Sequence, residues 1–197
     1  MTSVRNRKRV AVLISGRGSN MAALIEAAKA PDYPAEIALV ASNKADAAGL
    51  KHANAQGIPT FAVSHKGFPD RESFDRAIHA ALQEKRIELV ALAGFMRVLS
   101  PWFCRQWEGR LINIHPSLLP KFKGVDTHRR ALEAGETEHG CTVHFVTPEL
   151  DDGPPIMQAK VRVRDDDDPD SLAARVLAEE HRIYPLALAM VAASLAE

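Results

Sequence analysis

The chain has 197 residues, 46% of them hydrophobic, and its 25 lysines and arginines are matched by 25 aspartates and glutamates. That length suits a single domain, residues 1–197, with a full core, and the balanced charge leaves no overall field to hold nucleic acid or an anionic membrane. The two cysteines form no CxxC pair, the start lacks an apolar signal segment and no apolar run has bilayer-spanning length, so a cytoplasmic protein with small-molecule partners is expected.

Arg5, Arg7, Lys8 and Arg9 are the only concentrated positive charge, and they read as a short solvated arm. Val10–Ile14 is a continuous apolar run, as expected of a strand covered on both faces. It leads into Ser15-Gly16-Arg17-Gly18-Ser19-Asn20, and a helical apolar face follows on Met21, Leu24, Ile25 and Ala28. Glycines let the backbone pass close to a ligand, and the N–H groups at a helix start can hold phosphate. A plain tight turn with Ser19 as the helix cap is the alternative. The loop is a poor dinucleotide fingerprint, because Met21 stands at the third glycine position and the strand Glu36–Ala41 ends in Ser42-Asn43-Lys44 with no acid for a ribose diol.

Strand and helix then alternate: a helix over Asp46–Ala55, a strand over Pro59–Val63, a helix over Asp70–Glu84 and a buried strand over Ile87–Ala93. Arg71, just inside the third helix, reads as a solvated charge. Gly94-Phe95-Met96-Arg97-Val98-Leu99 is an unusually apolar loop before Ser100-Pro101 caps the next helix. In a doubly wound sheet the strand order reverses between the first strand and Ile87–Ala93, so this loop and the glycine loop would face each other across the ligand crevice. The plainer reading is that its apolar side chains cover a sheet edge.

Arg110 to Pro120 reads as a buried strand whose polar groups fall at its end, because Pro116 and Pro120 stop regular structure. Asn113 and His115, two apart, share a face there. An amide donor beside a group that titrates near neutrality suits acyl chemistry, which needs a fixed donor for an oxyanion and a route for a proton. A turn asparagine and a surface histidine are the plain alternative. A short helix over Thr127–Ala134, a strand over Gly140–Val146, an acidic turn-rich loop to Pro155 and a strand from Ile156 to Val163 follow, the two strands extending the sheet as an antiparallel pair. Asp168-Pro169 opens a closing helix that runs to about Ala193 and should kink near Tyr184-Pro185. The fold class expected is α/β: a doubly wound, mostly parallel, Rossmann-like sheet flanked by helices.

Ser15–Asn20, Ala93–Leu99, Asn113–Pro120 and Glu149–Pro154 together resemble the glycinamide ribonucleotide formyltransferases of purine biosynthesis over nearly the whole chain. The run Asn113-Ile114-His115-Pro116-Ser117-Leu118-Leu119-Pro120 is shared with other folate-dependent formyltransferases, whereas the glycine loop and Glu180–Pro185 are similar to the ribonucleotide family specifically. The resemblance implies direct transfer of a formyl group from 10-formyltetrahydrofolate, as co-substrate, to the ribonucleotide's amine, with no metal. It implies a catalytic trio of Asn113, His115 and Asp151. By the same similarity Gly18, Ser19, Asn20 and Glu180 would hold the ribonucleotide; Arg71, Met96, Arg97, Val98, Leu99 and Val146 would hold the folate, with Asn113 and Asp151 also contacting it. Asp152 departs from the family pattern, standing where a glycine is frequent. The assembly implied is a monomer or a homodimer. Rival readings are another folate-dependent formyltransferase or hydrolase, a non-catalytic nucleotide or folate binder, or a Rossmann oxidoreductase using NADP through Lys44.

Overall fold

The structure, a computed structural model, describes residues 7–195. Among these residues seven strands form one sheet: β1 (Lys8–Ile14), β2 (Ala35–Ser42), β3 (Thr60–Ala62), β4 (Leu89–Leu92), β5 (Leu111–His115), β6 (Glu138–Phe145) and β7 (Pro155–Arg162), in the order β3-β2-β1-β4-β5-β6-β7. β1 to β5 run parallel, and β6 and β7 continue the sheet as the expected antiparallel extension. The helices are α1 (Ser19–Ala27), α2 (Ala48–Ala55), α3 (Arg71–Glu84), α4 (Pro101–Gln106), α5 (Thr127–Glu133) and α6 (Pro169–Ser194).

Alternation along β1 explains why its apolar run is unbroken. Val10, Val12 and Ile14 face a layer that includes Met21 and Leu24 of α1 and Tyr184 and Leu188 of α6. Ala11 and Leu13 face the opposite layer, with Phe74, Ile78 and Leu82 of α3 and Phe103 of α4. With β2 on one side of β1 and β4 on the other, the strand order reverses between β1 and β4, and their carboxyl ends open onto one crevice.

Two expectations need correction. Strand β1 begins at Lys8, so the basic residues that the sequence suggested were a solvated arm are tied to neighbouring strands. Arg7 bonds the Ala28 and Ala35 carbonyls, Lys8 Nζ lies 3.2 Å from Glu88 and Arg9 reaches Glu36 at 2.5 Å; Arg5 lies outside the described residues. The N-cap of α1 is Gly18, with a left-handed φ of 72°, and Ser19 is already helical, so Ser19 does not cap. Helix α6 runs through Pro185 as one element, Pro169–Ser194. On one side of that proline the Tyr184 hydroxyl donates to the Leu92 carbonyl (2.7 Å), and Tyr33 donates to the carbonyl of Pro185 itself (2.7 Å). Burial holds the Tyr184 phenol far above its ordinary value, so it keeps its proton as the donor that pins α6 to the end of β4.

Candidate active site

Three strand ends build the site. At the end of β1, Ser15 N–H donates to the Gly94 carbonyl (3.1 Å), its hydroxyl donates to Asn43 Oδ1 (2.6 Å), and Met96 N–H donates to that hydroxyl (2.8 Å). The glycine loop and the Met96 loop therefore meet, as the switch-point argument anticipates. Within the glycine loop, a Cβ on Gly18 would sit 3.1 Å from Met21 Cε and 3.3 Å from Gly49 Cα, and the left-handed φ further restricts the position to glycine. No side chain caps α1, so its leading N–H groups have no side-chain cap acceptor.

Asn20 and Glu180, 160 positions apart, are joined here: Asn20 Nδ2 donates to Glu180 Oε2 at 2.7 Å, and both are buried. Burial pushes the Glu180 carboxyl up, and the Asn20 bond opposes that shift. Asn20 Oδ1 is buried without a partner. The Asn20 side chain thus orients Glu180.

The apolar loop divides its labour. Phe95 and Leu99 are buried against α3 and α4, which covers the sheet as the plainer reading supposed, but Met96 is 70% and Val98 43% exposed. Arg97 lies over the Phe74 ring at 4.8 Å, and Ser100 N–H is held by Asp75 Oδ2 at 2.6 Å, although burial pushes that carboxyl up. Arg71 is exposed at the start of α3, on a hollow of about 520 Å³ shared with Asp70, Arg76 and Ser100.

Asn113, His115 and Asp151 converge at the end of β5. Asp151, in the β6–β7 loop, adopts a left-handed φ of 49° that turns its carboxylate inward. Asp151 Oδ2 lies 3.4 Å from His115 Nδ1 and accepts from Gly124 N–H at 2.9 Å. His115 Nε2 lies 2.9 Å from the Phe122 carbonyl, which can only accept, so Nε2 carries a proton while Nδ1 faces Asp151. Val146 N–H donates to the Leu111 carbonyl (2.9 Å), holding the start of the Asp151 loop against β5.

One residue of this cluster escaped the sequence reading. His144 of β6 stands opposite Asn113 in the antiparallel register and is 2% exposed. Its Nδ1 faces the Phe145 carbonyl at 2.8 Å and must carry the proton, so its Nε2 lone pair accepts from Asn113 Nδ2 at 3.3 Å. Burial lowers the His144 pKa, which favours this neutral form. The same Nε2 is 3.8 Å from Asp151 Oδ1. Alternation in β6 puts His144 on one face with Thr142, but only the β5–β6 register reveals that it meets Asn113. Phe122 and Gly124 were missed because they act through backbone groups, which leave no side-chain signature.

Among the described residues no group of three or more His, Cys, Asp or Glu side chains is placed to hold a metal ion, and no helix is long and apolar enough to cross a membrane. The fold and site together define a group-transfer protein whose two loops border a crevice at the switch point, with an amide, an imidazole and a carboxylate beside them.

Residues 8–188 match the family described as Formyl transferase, and the chain belongs to that family. It is 50% identical over 183 residues to the phosphoribosylglycinamide formyltransferase of Escherichia coli K12, covering 93% of this chain and 86% of that protein. It is 54% identical over 188 residues to the trifunctional purine biosynthetic protein adenosine-3 of Drosophila pseudoobscura pseudoobscura, covering 94% of this chain but spanning only 14% of that protein's length. The crystal structure of phosphoribosylglycinamide formyltransferase from Brucella melitensis superposes with a TM-score of 0.92 at 53% identity, covering 98% of this chain and 99% of that one.

Proposed function

We propose that the protein transfers the formyl group of 10-formyltetrahydrofolate to the amine of 5'-phosphoribosylglycinamide. The observation that carries this reading is the meeting of Asn113 and His115, from one strand, with Asp151, from a loop 36 positions beyond His115, in a chain of the formyl transferase family. The identity to named phosphoribosylglycinamide formyltransferases supports the choice of acceptor.

In this mechanism the substrate amine attacks the formyl carbon, forming a carbon–nitrogen bond and placing negative charge on the formyl oxygen. Asn113 Nδ2 has two hydrogens; with one given to His144, the other is directed for the oxyanion. The His115 Nε2–H adds a second donor to that charge once the substrate displaces the Phe122 carbonyl from it. The bond between the formyl carbon and folate N10 then breaks. The amine has lost a proton and N10 has gained one, and Asp151 guides that transfer directly or through a water while holding His115.

The ribonucleotide phosphate is assigned to the N–H groups of Gly18, Ser19 and Asn20, and its ribose hydroxyls to Glu180. The pterin is assigned to the backbone of Met96 to Leu99, with Val146 to Asp151 opposite and Arg71 at the folate tail. A cytoplasmic location and small-molecule partners accord with this chemistry.

Formyl-labelled 10-formyltetrahydrofolate incubated with the ribonucleotide tests the proposal. Labelled formylglycinamide ribonucleotide is expected; binding of both compounds without labelled product would leave a non-catalytic binder instead. Asn113→Ala should lower kcat by roughly 10²–10³-fold with KM values little changed, because the amide is assigned to charge that develops only during the reaction.

A further inference from the structure

We infer that Ser15 is a positioning residue through which the two substrate loops are coupled, so that filling either one tightens the other. The inference rests on the proposed assignment of the Gly16–Asn20 loop to the ribonucleotide and the Met96–Leu99 loop to the folate. It adds a residue and an energetic link that the assignment does not contain.

The geometry at Ser15 is directional. Its side chain is buried, and its hydroxyl proton is committed to Asn43 Oδ1, a group that can only accept. An oxygen lone pair is therefore what meets Met96 N–H, which can only donate. Ser15 N–H is in turn fixed by the Gly94 carbonyl. One residue thus ties the ends of β1, β2 and β4 together on the backbone immediately before Gly16. Phe95 and Leu99 anchor the folate loop by burial and Asp75 holds Ser100, whereas Met96 and Val98 project outward. Within that exposed stretch, the Ser15 hydroxyl fixes the backbone at Met96.

A phosphate that orders the glycine loop acts on the backbone joined to Ser15, and the Ser15 hydroxyl carries that order to the Met96 amide. A folate that arrives second then orders less chain on binding, and by linkage the reverse order benefits equally. Loss of the hydroxyl would leave a buried amide oxygen on Asn43 and the Met96 N–H without this partner, and each loop would move independently. A serine that only sealed the strand ends would lower stability, and affinity for each ligand taken singly, but would not change their mutual dependence.

The test is calorimetric titration of full-length protein with 5'-phosphoribosylglycinamide, with and without saturating 5,8-dideazafolate, a stable folate analogue lacking the formyl group. In the wild type, the analogue should tighten ribonucleotide binding on the order of tenfold. In Ser15→Ala that gain should fall below about twofold, and Ser15→Thr, which retains the hydroxyl, should restore it. Circular dichroism checks the fold; if Ser15→Ala does not fold, Ser15→Cys keeps the shape with a much weaker acceptor and should show the same loss. Undiminished coupling in the folded hydroxyl-free variant, or none in the wild type, overturns the inference. If the wild type nevertheless forms formylated product, the functional reading survives that result. A wild type that binds neither probe overturns both.

Discussion

Asn113 is a competent oxyanion donor only if its amide is turned the right way, and the residue that turns it is His144. The chain of bonds from the Phe145 carbonyl through the His144 ring to Asn113 Nδ2 fixes both the imidazole tautomer and the amide orientation. His144→Leu should therefore act through Asn113. We expect kcat to fall on the order of 10–100-fold, with both KM values nearly unchanged. The double variant Asn113→Ala/His144→Leu should be scarcely slower than Asn113→Ala alone, and steady-state kinetics of the three proteins would check this. Fully additive losses would mean that His144 acts on the reaction by its own route.

At the scale of elements, the site is made where strands stop. The glycine loop, the Met96 loop and the Asp151 loop follow the carboxyl ends of β1, β4 and β6, and several loop residues near the site hold backbone conformations that L side chains disfavour: Phe122 at φ 54°, Asp126 at 56° and Asp151 at 49°. Gly18 avoids that penalty as a glycine, and a Cβ there would also require Met21 and Gly49, at 3.1 and 3.3 Å, to give slightly. Gly18→Ala should cost about 1–3 kcal/mol of stability, measured as a lower urea midpoint. It should also raise the KM for the ribonucleotide more than that for the folate, because the strained turn presents the helix amides assigned to the phosphate.

For the whole molecule, histidines whose pKa values burial depresses make stability fall with acid. Burial lowers the His128 and His144 pKa values and takes His139 down to about 4 from an ordinary 6.5; His139 packs edge-on to Phe122 and His128. A histidine whose folded pKa is depressed binds its proton more readily when the chain unfolds. Stability is therefore undiminished by these groups above about pH 6.5 and falls as the pH drops from there towards 4. Urea midpoints measured between pH 7 and pH 4.5 should decline, and His139→Gln should make the decline shallower by removing the histidine that burial holds down to about 4. An unchanged slope in that variant would place the acid sensitivity elsewhere.

The periodicity of Val10–Ile14, the helix start at Asp168-Pro169, and the spacing of Asn113 and His115 were local signals, and they fixed the alternating α/β layout and the shared face of two site residues. They could do so because side-chain direction within a strand and the caps of a helix are short-range properties of the backbone. Tertiary structure decided the rest. His144 meets Asn113 through an antiparallel register, Asn20 meets Glu180 across 160 positions, and Ser15 joins two loops through its hydroxyl. Lys8 and Arg9 became strand ties because partners at Glu88 and Glu36 were delivered by neighbouring strands. Pairings between distant segments depend on how the whole sheet assembles, and that assembly carries no mark in the residues immediately beside each partner.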